Sequence, residues 1–138
     1  MKTENLAVLF VDIKNFTGRT SSQSREENQK LLRRFEDLVL PIAGAYGLRV
    51  VKAIGDAYLL TSRSPTDALH WAMAVQDALA EASLLWPQPE RFEIRIAVNM
   101  GEIRIEGGDV FGEAVNIASR IEGEADGGEI YFSEAVYL

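Results

Sequence analysis

Residues Leu6 to Ile13, "LAVLFVDI", are apolar throughout except at Asp12. A run of this length and composition reads as a β-strand buried on both faces. Such a strand belongs inside a sheet with other layers packed on it. The chain has 138 residues, which suits one domain spanning 1–138 with one core. The same run makes Asp12 conspicuous, because a lone carboxylate at the end of a buried strand is costly unless it is paired or bound to a metal.

The remaining elements follow from periodicity and punctuation. "TSSQSREENQ" offers several N-caps followed by Glu and Gln. Leu31, Leu32, Phe35, Leu38, Val39 and Ile42 then recur at helical spacing, with Pro41 placed to kink the helix end and Gly44 and Gly47 helping to close it. In "LRVVKAIGDAYLLTS", two β-rich runs flank Gly55-Asp56, a tight-hairpin signal. Pro65 opens a second helix with Ala68, Leu69, Ala72, Val75 and Leu79 on one face. "LWPQPERF" reads as a loop. "FEIRIAVN" alternates, with Phe92, Ile94, Ile96 and Val98 on one face, and the strand is expected to continue past Met100-Gly101 into "EIRI".

A turn at Glu106-Gly107-Gly108 leads to a third helix, expected from about Phe111 to Glu124, with Phe111, Ala114, Val115, Ala118 and Ile121 facing the core. "GEIYFS" reads as a last strand, and Ser133 as the N-cap of a helix that stops after about one turn. A helix that short is marginal alone, so the chain reads as cut, or as continuing in a longer natural protein. The order β-α-β-β-α-β-α-β begins with the βαββαβ pattern of a ferredoxin-like or polymerase-palm core. The expected class is α+β, with a mixed, mainly antiparallel sheet and helices packed on it.

Charge and composition narrow the function. A net charge of −7 argues against a general binder of nucleic-acid polymers, which needs a basic surface, and is compatible with carboxylates that hold cations. There is no cysteine, which removes disulfides and thiolate metal sites and fits a cytoplasmic location. No apolar run approaches the ~20 residues of a membrane span.

In a palm-type sheet the first strand lies beside the hairpin, so Asp12 and Asp56 can meet at one sheet edge. Converging carboxylates repel, and a divalent cation resolves the repulsion; oxygen ligands of this kind suit Mg²⁺ or Mn²⁺. Turn chemistry alone also accounts for Asp56. It does not account for Asp12, although a helix N-cap or a strand-edge role stays open there. "IKNFTGRT" reads as a loop between strand end and helix start, whose backbone N–H groups could cradle an anion, without a P-loop lysine. Asn116 and Arg120 are four apart and share a helix face, as residues on any solvated helix face would.

Three stretches together resemble one family. "FVDIKNFT" resembles the F-x-D-I-x-x-F-T motif of class III nucleotidyl cyclases, "VKAIGDAYLL" their second-metal hairpin, and "DVFGEAVNIASR" their D-x-x-G-x-x-V-N-x-A-S-R motif. The resemblance covers essentially the whole chain, in the same order and spacing. It implies that Asp12 and Asp56, with the Ile13 carbonyl, hold two Mg²⁺ or Mn²⁺ ions per active site. It implies that Lys52 and Asp109 read the purine, that Asn116 orients the ribose, and that Arg120 stabilises charge on the transferring phosphoryl group. Phe16 and Thr17, the last letters of the first motif, are carried over as substrate-binding, as is Arg95 at a triphosphate-contacting position.

The implied unit is a head-to-tail homodimer with sites at the interface, converting ATP to 3′,5′-cyclic AMP and pyrophosphate. Regulatory domains are expected in a longer natural chain. Base choice follows from hydrogen-bond chemistry. A lysine donates to adenine N1 and an aspartate accepts from the 6-amino group. Guanine inverts both, leaving mismatched groups at ~1–3 kcal/mol each. Guanylyl cyclases resemble this chain but carry Glu where Lys52 stands, so the pair points to ATP.

Two departures stand out: Ala97 and Asn99 replace a Gly and a frequent His of the family, for which a mild packing change is expected, and the family's C-terminal helix, two strands and triphosphate lysine are missing. For the isolated chain that absence favours a second reading, a weak or inactive cyclase-homology module for dimerisation or nucleotide sensing, while the complete residue set argues against it for the natural protein. A third reading comes from "GGDVF", one letter from the GGDEF motif of diguanylate cyclases. In that family the motif is the hairpin after the first long helix. Here that place belongs to "IGDAY", which leaves Asp109 seven residues before Asn116, as in the cyclase motif.

Overall fold

The computed structural model describes residues 2–137. The long strand β1 (Lys2–Ile13) lies at the centre of a six-stranded sheet. Helix α1 (Phe16–Thr20) and helix α2 (Arg25–Ala45) follow, then the hairpin β2 (Arg49–Ile54) and β3 (Ala57–Ser62). Helix α3 (Pro65–Ser83) leads to β4 (Ile94–Glu106), β5 (Asp109–Phe111), helix α4 (Glu113–Glu124), β6 (Ile130–Phe132) and α5 (Glu134–Tyr137). The strand order is β2, β3, β1, β4, β5, and β6 also pairs with β4. All pairings are antiparallel except β4 with β6, so the sheet is mixed and mainly antiparallel, and the fold is α+β as expected.

Strand alternation divides the core. Ala7, Leu9, Val11 and Ile13 of β1 face α2 and α3, packing with Leu31, Phe35, Val39, Trp71 and Val75. Leu6, Val8 and Phe10 face the other way, with Ile103, Ala114 and Ala118. Asp12 continues this second row by parity, so it lies on the α4 side of the sheet. Its cross-strand partner is Arg95.

Local signals set the helix starts. Ser24 caps α2, accepting from the Glu27 amide at 3.1 Å, while Glu27 Oε1 accepts from the Ser24 amide at 3.0 Å, a complete capping box. Pro41 lies inside α2, which continues to Ala45. Three expectations are corrected. "NFTGRT" is not a plain loop, since Phe16–Thr20 is helical. The helix expected from Phe111 begins at Glu113, because Asp109–Phe111 pairs with β4 and Gly112 turns the chain at φ 134. Phe111 therefore lies in a strand and is exposed rather than core-facing.

Helix α4 lies close on β4. A Cβ built on Gly101 would meet the Ala114 Cβ at 2.9 Å. Among the described residues, no helix is long and apolar enough to cross a membrane. Gly101→Ala should lower stability by ~1–3 kcal/mol through this overpacking. Urea unfolding monitored by circular dichroism measures it, and an unchanged midpoint would mean that α4 does not rest on Gly101.

Candidate active site

The end of β1 and the tip of the β2–β3 hairpin come together because β3 pairs directly with β1. Asp56, at the turn, accepts a hydrogen bond on Oδ2 from the Ile13 amide at 3.2 Å. The two carboxylates of the sequence reading are thereby neighbours along the chain end of β1, with Ile13 between them in the contact. Burial pushes the Asp56 carboxyl above its ordinary range, and the negative charge of Asp12 adds to that push, against the Ile13 hydrogen bond.

Asp12 is only 8% exposed. Its carboxylate is held by a two-pronged ion pair with Arg95, from Nε to Oδ1 at 2.9 Å and from Nη2 to Oδ2 at 2.7 Å. The cost of burying Asp12 is thus met by a charge on the adjacent strand. Arg95 Nη2 also stands 3.1 Å from Glu122 Oε1 in the last turn of α4. That contact is electrostatic only, since the buried Oε1 lacks an aligned donor. Burial first, then contact with the Asp12 carboxylate, pushes Glu122 up to about 8, outweighing the attraction of Arg95.

Glu122 belongs to this site although the sequence reading passed over it. Its signal was available: it stands four residues after Ala118 and eight after Ala114, on the apolar stripe that faces the sheet.

The donor set of Asp12, Asp56 and the Ile13 carbonyl is oxygen only, which suits Mg²⁺ or Mn²⁺. Among the described residues no cluster of three metal-binding side chains is assembled. The fit rests instead on two converging carboxylates, one of which is made hard to ionise by burial first and by the other's charge second, a penalty that a divalent cation relieves.

A second cluster forms at the other side of the hairpin. Lys52 Nζ lies 2.8 Å from Asp109 Oδ2, joining β2 to β5 across 57 residues of chain. Lys52, together with the Val110 amide, holds the Asp109 carboxyl below its ordinary range. Exposed pairs of this kind contribute little to stability. Arg49 fixes the same corner, donating to the Gly108 carbonyl at 2.9 Å.

Asn116 and Arg120 lie on α4 and are exposed, and Arg120 pairs with Glu113 at 2.9 Å. Two residues of α-helix turn through about 200°. Arg120 therefore points nearly opposite to Glu122, which faces Asp12, and Asn116 stands on Arg120's side. One chain cannot turn both sets of residues towards a common point. Phe16 is half-buried against the core on the α2 and α3 side, while Thr17 is exposed.

A palm-like sheet with a carboxylate pair at its central strand defines a class, and the comparisons define the family. The model of the adenylate and guanylate cyclase catalytic domain matches residues 1–138, so the chain belongs to that family. It is 36% identical over 138 residues to the serine/threonine-protein kinase pkn2 of Myxococcus xanthus, covering 100% of this chain and 17% of that protein. It is 31% identical over 131 residues to the putative adenylate cyclase 3 of Rhizobium meliloti, covering 95% of this chain and 22% of that protein. The chain thus spans less than a quarter of the length of either curated relative. Its fold is similar to the catalytic core of a rhodopsin-guanylyl cyclase with converted specificity, solved with ATPalphaS. That match has a TM-score of 0.86 and 28% identity, covering 99% of this chain and 81% of that one.

The raised Glu122 and Asp56 carboxyls give a signed prediction. The folded chain binds more protons than the unfolded chain between the ordinary carboxylate range and about pH 8. Their stabilisation is present below the ordinary range and is lost as pH rises through the folded values. Urea midpoints in chelator-containing buffer should fall from pH 5.5 to pH 8.5, and Glu122→Gln should flatten that fall. An equal slope in the variant would mean that Glu122 is ionised normally.

Proposed function

We propose that the chain is the catalytic domain of an adenylyl cyclase, converting ATP to 3′,5′-cyclic AMP and pyrophosphate between two head-to-tail copies. The observation that carries this reading is the hydrogen bond from Ile13 to Asp56, which sets the second carboxylate beside the first. Asp12, Asp56 and the Ile13 carbonyl would hold two Mg²⁺ or Mn²⁺ ions, which when bound supply acidity to the ribose 3′-hydroxyl and positive charge to the triphosphate.

The chain's own residues supply the rest. Asn116 orients the ribose so that its 3′-oxygen lies in line with the α-phosphorus. Arg120 supports the negative charge that grows on the phosphoryl oxygens and on the pyrophosphate leaving group. Arg95, on the strand beside Asp12, is within reach of the phosphates that would gather there. Lys52 and Asp109 offer a donor and an acceptor 2.8 Å apart, the complement of the adenine N1 and 6-amino edge. The dimer is supported by the geometry of α4. Arg120 and Asn116 face away from the Asp12 site of their own chain, so a second copy is required to bring them to it.

Incubation with Mn²⁺ and either ATP or GTP, with products separated by chromatography, tests the activity. Cyclic AMP is expected. Cyclic di-GMP would overturn the family reading of the site. No product from a dimer that binds ATP would favour a nucleotide-sensing module. Arg120→Ala should lower turnover by ~10²–10³-fold. Asp12→Asn and Asp56→Asn should each abolish it. Mixing Asp12→Asn chains with Arg120→Ala chains should restore activity that neither has alone, since one site of the mixed dimer is intact. No restoration in a mixed dimer would place all these residues in one chain's site. Lys52→Glu should move the ATP-to-GTP preference towards GTP by about tenfold or more, measured as the ratio of kcat/KM values. An unchanged ratio would remove Lys52 from base reading.

A further inference from the structure

The outward face of α4 carries the residues proposed to act on ribose and phosphate. Whatever fixes the first turn of that helix therefore fixes their reach. That turn has no local cap. Helices α2 and α3 are each closed by a serine side chain, Ser24 and Ser64. Gly112, at the start of α4, has no side chain to offer.

A buried amide reaches the turn from the sheet instead. Asn99, 3% exposed in β4, donates from Nδ2 to the Ala114 carbonyl at 2.9 Å. Its Oδ1 accepts from the Ser133 hydroxyl, just after β6. The orientation of the amide is unambiguous, because a carbonyl can only accept. The Ala114 carbonyl has a second lone pair for its intrahelical partner, so the bond adds to the helix rather than competing with it. Gly101, two residues along the same face of β4, lets Ala114 approach closely enough for the bond to form.

We propose that Asn99 is a positioning residue for the reaction. Its amide seats the first turn of α4 on β4, places Asn116 and Arg120 through that seat, and links their placement to the segment after β6 through Ser133. The inference rests on the roles given above to Asn116 and Arg120. A displaced group of about 1 Å can cost ~10²-fold in rate. The proposed metal and base residues lie on β1, the β2–β3 hairpin and β5, so nucleotide binding should survive the loss of Asn99.

The test compares Asn99→Ala, Asn99→Asp and Asn99→His. Aspartate keeps the shape but turns an acceptor towards the Ala114 carbonyl, whereas histidine returns a ring N–H donor. The measurements are kcat and KM for ATP, and hydrogen–deuterium exchange along the chain. Asn99→Ala and Asn99→Asp should lower kcat by ~10–100-fold with KM within about threefold. Exchange should quicken in the first two turns of α4 and stay unchanged in α2 and α3. Asn99→His should recover most of kcat and of the protection. Ser133→Ala should move both readouts in the same direction by less.

A loss of kcat without local loosening of α4 overturns the proposal, as does loosening with kcat unchanged. Faster exchange spread through the whole chain, without recovery in Asn99→His, would mean a merely structural role. If the wild-type chain makes no cyclic nucleotide, the functional reading fails, and exchange still decides whether Asn99 holds α4: unchanged protection in Asn99→Ala overturns it.

Discussion

The ion pair between Asp12 and Arg95 is the constraint around which the rest of the site is arranged. Asp12 lies near the end of the most deeply buried strand, where a free carboxylate would carry a large desolvation cost. The antiparallel register sets Arg95 directly opposite, and its planar guanidinium meets both carboxylate oxygens. A buried pair of this kind is weak evidence for stability, since two apolar residues would often do as well. A charged pair at this place in "LFVDI" makes better sense as the resting arrangement of a group with a further task. Glu122 and Asp56 sharpen that view. Three carboxylates face one guanidinium, and two of them are hard to ionise.

Helix α4 divides the proposed chemistry between its faces. Ala114, Ala118 and Glu122 form the face towards the sheet, apolar until it reaches the Asp12 site. Asn116 and Arg120 form the face towards solvent. Because successive helical residues are fixed about 100° apart, Arg120 and Glu122 leave the helix on nearly opposite sides, and Glu122 is the one that reaches the Asp12 site. The proposed two-chain unit draws its support from this helix geometry taken with the roles proposed. The lack of a side-chain cap at Gly112 leaves the seating of this helix to tertiary contacts, the apolar packing of Ala114 and Ala118 and the Asn99 hydrogen bond to the Ala114 carbonyl.

Most of the fold was legible because its signals were local. The buried run at Leu6 to Ile13, the hairpin at Gly55-Asp56, the capping box at Ser24 and the alternation after Phe92 each depend on neighbours within a few residues. Structure and local signal differ where a contact or a turn not announced by the neighbouring residues wins. Asp109 to Phe111 looked like the approach to a helix, but β4 captures it as a strand. Phe16 to Thr20 reads as a loop, but its backbone closes a helical turn, with the Arg19 amide donating to the Asn15 carbonyl at 3.0 Å. In the sequence Asn99 stands out only as a departure with a mild effect on packing, because nothing in "AVNMG" says that its amide will face the carbonyl of residue 114.

The sequence alone determined the elements, their order, and the residue types able to hold cations, read a purine edge and neutralise a phosphoryl group. These depend on hydrophobic period, turn chemistry and side-chain functional groups, all of which are written locally. Only the tertiary structure decided which of those residues meet. Strand register set Arg95 against Asp12, and pairing of β5 with β4 brought Asp109 to Lys52 across 57 residues. The seating of α4 turned Glu122 inwards and Arg120 outwards. Contacts of that range are set by how layers pack on the central strand. Packing depends on the whole chain at once, which is why no single stretch of letters announces it.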